Sequence, residues 1–189
     1  MRGTHFFKSC LPIWQAFFIY VAFLRERGEK NKGMNKEEIQ QQIFQAVEAV
    51  KRTNPLVGSI TNMVTINFVA NAQLAVGGSA AMVYLAEEGE ILAKAGQAMY
   101  INVGTLLPIH EHALPHVAKV LHDTGKPWVL DPVAVGIGSM RTHLLKQFKE
   151  LKPNIIRGNA SEIIALAGLW ELDGGTAISK ARGVDSTDS

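Results

Sequence analysis

Five short apolar runs, each followed by a stretch with helical periodicity, constrain this chain more than any other feature. The runs cover 56–61, 80–85, 99–103, 128–131 and 154–156. Strands alternating with helices of this length specify βαβ units and a mostly parallel sheet with helices on both faces. The expected helices are marked at their ends. Asn35 and Glu38 have capping-box spacing ahead of Ile39, Ile43, Val47 and Val50, which share one helical face. Asn62 is placed to cap a helix over about 64–76, and Gly77-Gly78 to stop it. Glu87 and Glu88 open a helix that closes at Gly96, acid at the positive end of the dipole. Further helices are expected over 108–124, 140–150 and 160–167, with the pattern decaying after Gly168.

Composition narrows the class. Hydrophobic residues make up 47% and charged residues 19%, an ordinary globular balance for 189 residues and enough for one sizeable core. The net charge is +2 without a dense Lys/Arg cluster, which argues against a nucleic-acid partner. Cys10 is the only cysteine, so no intrachain disulfide forms.

Residues 1–33 read differently from 34–189, the expected α/β domain. The run Leu11–Leu24 is apolar and aromatic, flanked by Lys8, Arg25 and Arg27. It is shorter than the roughly 20 residues of a spanning helix and has about the length of a signal-peptide core. No small-residue cleavage site follows it. A membrane anchor, a secretion signal and a translated leader before a start at Met34 all fit. The leader is favoured, because Met34 opens a complete amphipathic helix, and membrane association is not expected.

The chemistry-bearing residues sit where strands end. Open parallel sheets bind ligands outside the carboxyl ends of their strands. Trp128-Val-Leu ends there at Asp131-Pro132 and runs into Gly136-Ile-Gly138. Asp131 is either turn punctuation or a carboxylate facing a metal or phosphate. Asn154-Ile-Ile ends at Arg157-Gly-Asn159 and enters a helix carrying Glu162. A guanidinium ending an apolar strand needs an anion or water, and phosphate matches its planar fork. Glu162 is either the second half of a capping box with Asn159 or a second metal-side carboxylate. Two strand ends thus offer two carboxylates, a cation and a helix N-terminus, a set suited to magnesium–nucleotide chemistry. Gly136-x-Gly138 lacks both dinucleotide and P-loop spacing. His112 and His116, with His110 nearby, read as an exposed helix face, since Pro115 lies between the pair. Met82 is a core residue or lines a pocket for a flat apolar ligand. Asn62 is a cap or reads a ring nitrogen.

From about Met34 onward the chain resembles the hydroxyethylthiazole kinases. The matching stretches are Asn54-Pro-Leu-Val, Ser59-Ile-Thr-Asn62, Asn67-Phe-Val-Ala-Asn71, Asn102-Val-Gly-Thr-Leu106, Leu130-Asp-Pro-Val133 and Ile156-Arg-Gly-Asn-Ala-Ser-Glu162. The resemblance implies an α/β, ribokinase-like fold, truncated here at its C-terminus. It implies transfer of the γ-phosphate of ATP to the hydroxyl of 4-methyl-5-(2-hydroxyethyl)thiazole, with Mg²⁺, in the cytoplasm. It further implies Asp131 and Glu162 at the Mg–phosphate site, Arg157 on the nucleotide phosphates, Met82 and Asn62 in the thiazole pocket, and a homotrimer with sites between subunits.

Three departures stand out. The family usually has His after Pro-Leu-Val, where this chain has Gly58, so a pocket wall is expected to differ. The family's Gly-Ala-Ser-Pro-Val-Met is Gly77-Gly-Ser-Ala-Ala-Met82 here. The family's Gly-rich loop ending in Cys, which forms the anion hole, has no counterpart up to Ser189. The chain is accordingly expected to lack a catalytic residue and turnover of its own. Two other readings remain at this point: a hydroxymethylpyrimidine or pyridoxal kinase of the same superfamily, and a non-catalytic remnant that only binds ligand or subunits.

Overall fold

A computed structural model describes residues 35–172. The extension 1–33 and the loop expected from Asp173 onward lie outside the described residues. The sequence elements appear in the expected order: α1 (Lys36–Thr53), β1 (Leu56–Ile60), α2 (Ile66–Ala75), β2 (Ser79–Met82), α3 (Ala86–Ala95), β3 (Ala98–Asn102), α4 (Pro108–Thr124), β4 (Trp128–Asp131), α5 (Ser139–Leu151), β5 (Ile155–Ile156) and α6 (Ala160–Leu169). The strands form one sheet in the order β2-β1-β3-β4-β5, every pair parallel. Between β1 and β3 the chain reverses its direction of travel across the sheet. That switch point is where an open α/β sheet leaves a crevice beyond its strand ends.

Side-chain alternation decides which helices lie on which face. Gly58 and Ile60 of β1, Met99 and Ile101 of β3, and Trp128 and Leu130 of β4 point to one side. There Ile60, Met99, Ile101, Trp128 and Leu130 join Ala93 of α3, Leu114, Val117 and Leu121 of α4, Leu144 and Phe148 of α5, and Leu166 of α6 in the main core. Trp128 meets Phe148 edge-to-face with centroids 5.5 Å apart, a favoured aromatic geometry. The other side of β1 presents Ser59, whose Oγ accepts from Gln73 Nε2 of α2 at 2.8 Å. A smaller cluster of Val47, Val50 and Val76 joins α1 to the end of α2. Among the described residues no helix is long and apolar enough to cross a membrane.

Several boundaries move for identifiable reasons. Helix α2 starts at Ile66, two residues later than expected, because Asn62 Oδ1 accepts from the Val64 and Thr65 amides and holds 62–65 as a turn. Strand β2 ends at Met82 rather than Leu85. Its only neighbour among the described residues, β1, stops at Ile60, and the last ladder bond runs from Val83 N–H to Ser59 O. Helix α6 continues past Gly168 because Trp170 is buried against α5 and donates from Nε1 to Leu145 O at 2.7 Å. The capping boxes of α1 and α6 form as read, Asn35 with Glu38 and Asn159 with Glu162.

Candidate active site

The site is built where the strands end. The register sets Asn102 of β3 opposite Asp131 of β4, and Arg157 follows directly on Ile156, which pairs with Leu130. Asn62 lies two residues beyond β1. One sheet edge therefore brings together Asn62, Asn102, Asp131 and Arg157, which are far apart in sequence.

Asp131 is the centre. It is 1% exposed, and one of its oxygens is saturated. Oδ2 accepts from Tyr100 Oη at 2.6 Å, from Asn102 Nδ2 at 2.8 Å and from Arg157 Nη1 at 2.8 Å. The other oxygen, Oδ1, is buried and has no hydrogen-bond partner among the described residues. A buried carboxylate oxygen without a donor is costly unless a cation or water meets it. The orphaned atom is thus an observation in favour of a metal or ordered-water position beside Asp131. Its neighbours respond to the same charge. Burial pushes the Tyr100 phenol up, and the charge and hydrogen bond of Asp131 push it further, so Tyr100 stays a neutral donor. Burial pushes the Arg157 guanidinium down, but the Asp131 carboxylate beside it, with Tyr100 and Glu162, more than compensates and the net shift is upward. The strand-ending arginine thus finds its anion inside the protein. Its side chain remains 44% exposed toward solvent.

Glu162 stands close enough for Asp131 to influence it. It is 4% exposed in the first turn of α6. Burial raises its pKa, the backbone N–H of Asn159 lowers it, Asp131 raises it, and the Ala134 N–H and Arg157 lower it, for a net rise. Its Oε2 accepts from Asn159 N at 2.9 Å, so the capping role is present. Ala134 reaches it from the β4–α5 loop in a left-handed conformation, φ 57°, unusual for a residue with a side chain. Among the described residues no three His, Cys, Asp or Glu side chains cluster as a metal cage. Magnesium does not need one, since it is commonly held by one or two carboxylates with water and substrate phosphates. Asp131 Oδ1 and Glu162 fit that pattern.

On the other side of the switch point, Asn62 Nδ2 donates to Asn102 Oδ1 at 2.9 Å. Asn62 Oδ1 is occupied by the Val64 and Thr65 amides. Asn102 bridges both halves of the site. Its Oδ1 also accepts from Gly104 N, and its Nδ2 contacts Tyr100 Oη and Asp131 Oδ2. A Cβ on Gly104 would lie 2.9 Å from Asn102 Oδ1 and 3.1 Å from Asn62 Nδ2, so a glycine is needed for the loop to close on this pair. Met82 is half-buried at the end of edge strand β2.

Tyr100 is not among the residues singled out in the sequence, and Asn102 stands there only in a matched stretch, without a role. A usable signal existed: both lie on one face of an apolar strand, and the second ends it, as Asp131 ends the next. Gly58 requires a correction. It does not line a pocket. It is buried in mid-strand, and a Cβ there would meet Leu92 Cβ at 3.1 Å and Met99 Cε at 3.5 Å, so it faces the α3 side of the core. The histidines separate. His112 and His116 are exposed and stacked, centroids 4.1 Å apart. His110 instead turns inward at 2% exposure, accepts from Leu107 N at Nδ1, and has its pKa lowered by burial.

Comparison with known proteins bears on the family and the fold. Residues 47–189 match the model of the hydroxyethylthiazole kinase family. The chain is 53% identical over 149 residues to a hydroxyethylthiazole kinase of Bifidobacterium adolescentis, covering 77% of this chain and 51% of the relative. It is 42% identical over 160 residues to one of Leptospira interrogans, covering 82% and 57%. Among solved structures, the hydroxyethylthiazole kinase protein of Pyrococcus horikoshii superposes with a TM-score of 0.62 at 36% identity, covering 66% of this chain and 49% of that one. The chain spans about half the length of the curated relatives it matches.

Proposed function

The chain belongs to the hydroxyethylthiazole kinase family, and from that premise we propose that its sheet edge serves transfer of the γ-phosphoryl group of ATP to the primary hydroxyl of 4-methyl-5-(2-hydroxyethyl)thiazole. The observation that carries this reading is Asp131, a buried carboxylate with one oxygen tied to three donors and the other without a partner among the described residues. Phosphoryl transfer depends mostly on positioning and charge neutralisation. Asp131 Oδ1 and Glu162 would hold Mg²⁺, which when bound would supply neutralisation of phosphate charge. The hydroxyl oxygen bonds to the γ-phosphorus as the bond to the bridging oxygen breaks, ADP leaves, and the hydroxyl proton passes to water.

The protein groups divide the remaining work. Arg157 keeps one nitrogen on Asp131 and has further N–H donors to offer phosphate oxygens. Asn62 has its oxygen occupied and one Nδ2 hydrogen on Asn102, so its remaining hydrogen is a donor. A thiazole nitrogen is an acceptor and suits it. Met82 supplies a polarisable, half-buried surface for the ring. The Asn102 bridge fixes the alcohol side relative to the phosphate side. We further propose a homotrimer and a cytoplasmic setting, where ATP is available. The oligomer is supported by Met63, Val64 and Phe68, which expose apolar surface beside Asn62.

Titration calorimetry with Mg·ATP and with the thiazole alcohol tests the proposal. Magnesium-dependent nucleotide binding is expected to weaken by about tenfold or more in Asp131→Asn, as for loss of a charged contact. The fold should survive, because the amide oxygen can take the place of Oδ2. The thiazole alcohol should bind in preference to hydroxymethylpyrimidine and pyridoxal. Equal Mg·ATP affinity in the wild type and Asp131→Asn would remove the phosphate-side assignment.

A further inference from the structure

We infer that Arg141 is a positioning residue of this site, holding the β3–α4 loop so that Asn102 and Asn62 keep their orientation; the inference rests on the kinase reading above. Arg141 lies in the first turn of α5, outside the residues so far assigned to chemistry. Its Nε donates to Val103 O at 3.0 Å and its Nη1 to Ile137 O at 2.7 Å, and its Nη2 donates to Gly104 O. Three carbonyls on two loops converge on one side chain. Val103 and Gly104 follow β3, and Ile137 follows β4. These loops leave the carboxyl ends of the two strands that carry Asn102 and Asp131.

Gly104 is the link. Its carbonyl is held by Arg141 and its N–H donates to Asn102 Oδ1 at 2.9 Å. It has little room to move, since an added Cβ would already lie 2.9 Å from Asn102 Oδ1 and 3.1 Å from Asn62 Nδ2. Asn102 in turn donates to Asp131 Oδ2 and accepts from Asn62. An amide side chain can rotate by half a turn and exchange donor for acceptor at almost no steric cost. Only its partners decide which way it faces. The Asp131 carboxylate, a pure acceptor, holds the Asn102 nitrogen, and the Gly104 N–H, a pure donor, holds the Asn102 oxygen where Asn62 also reaches it. If Gly104 drifts, the Asn102 oxygen loses one of its two donors, and the Asn62 side of the amide is held less firmly than the Asp131 side.

The choice of arginine is specific to this task. Its guanidinium is half-buried and makes no ion pair among the described residues, and burial lowers its pKa. Bringing a cation partly out of water without a carboxylate is unfavourable. Carbonyl dipoles meet the cost here, and only a planar fork reaches three of them in fixed directions. A lysine ammonium is a point donor that would satisfy one loop and leave the other.

Side-chain amide resonances of the full 189-residue chain provide the test. In Arg141→Met the Asn62 and Asn102 NH₂ signals should shift, and the Gly104 amide should exchange with solvent about tenfold faster or more. Arg141→Lys should fall between, and it serves if the Met variant does not fold. Gly89→Ala, destabilised at a distance from the site, should leave these signals in place. Affinity for the thiazole alcohol should fall about tenfold in Arg141→Met, in step with the amide signals. Unmoved Asn and Gly104 signals in the Arg141 variants, or equal movement in Gly89→Ala, would overturn the inference. If the wild-type chain binds no thiazole alcohol, the substrate reading of Asn62 fails, and the amide signals still decide the role of Arg141.

Discussion

Glu162 shows how one side chain joins local and tertiary demands. Its backbone bonds are those of a helix cap, while its burial and the charge of Asp131 work against its ionised form. The folded carboxyl therefore holds its proton more tightly than the unfolded chain does. Between the ordinary value of 4.5 and the raised folded value, the folded state binds more protons. By linkage, this contribution to stability is greatest below the ordinary value and is lost as pH rises through the folded one. Glu162→Gln removes the titration. Urea midpoints measured against pH should fall for the wild type relative to the variant across that interval. Added Mg²⁺ should recover stability above the interval in the wild type only. Parallel pH curves would show that the environment of Glu162 does not favour its protonated form.

At the scale of elements, close approach of α3 and α4 depends on Gly89. A Cβ there would lie 2.5 Å from Val117 Cγ2 and 3.5 Å from Ile60 Cδ1. Alanine in mid-helix is intrinsically favourable over glycine by about 1 kcal/mol, but overpacking a close contact costs about 1–3 kcal/mol. Gly89→Ala should therefore be destabilising, read as a lower urea midpoint with unchanged slope; a stabilised variant would mean that the two helices separate easily. The same helix layer explains Gly58. Leu92 and Met99 occupy the space that a larger residue would need, so this glycine reports on packing of β1 against α3.

At the scale of the molecule, the apolar surface beside the Asn62 turn is one that the described fold leaves uncovered. Val64 is 84% exposed, Met63 60% and Phe68 52%. Under the proposed trimer this surface is shared between subunits. Sedimentation should give an oligomer for the wild type and a monomer for Val64→Asp at the same concentration. An unchanged mass in Val64→Asp would place the subunit contact elsewhere.

The sequence by itself determined the order of elements, the parallel sheet and the capping boxes of α1 and α6, because these follow from hydrophobic periodicity and from residues within one helical turn. It also offered Asp131, Arg157, Glu162 and Asn62 as candidates at or just beyond strand ends, with a turn or capping role equally open for Asp131, Glu162 and Asn62, and the family resemblance alone favoured the functional reading. Only the tertiary structure decided which of these meet. Strand order and register are set by long-range pairing, and it is the β3–β4 register that puts Asn102 against Asp131. The same pairing gives Tyr100 and Asn102 their roles and moves Gly58 from a supposed pocket wall into the core. His110, read with its exposed neighbours, turns inward because its position on α4 faces the core, while His112 and His116 face solvent. Local pattern fixes what a residue can do, and the packing of distant strands fixes which partner it has to do it with.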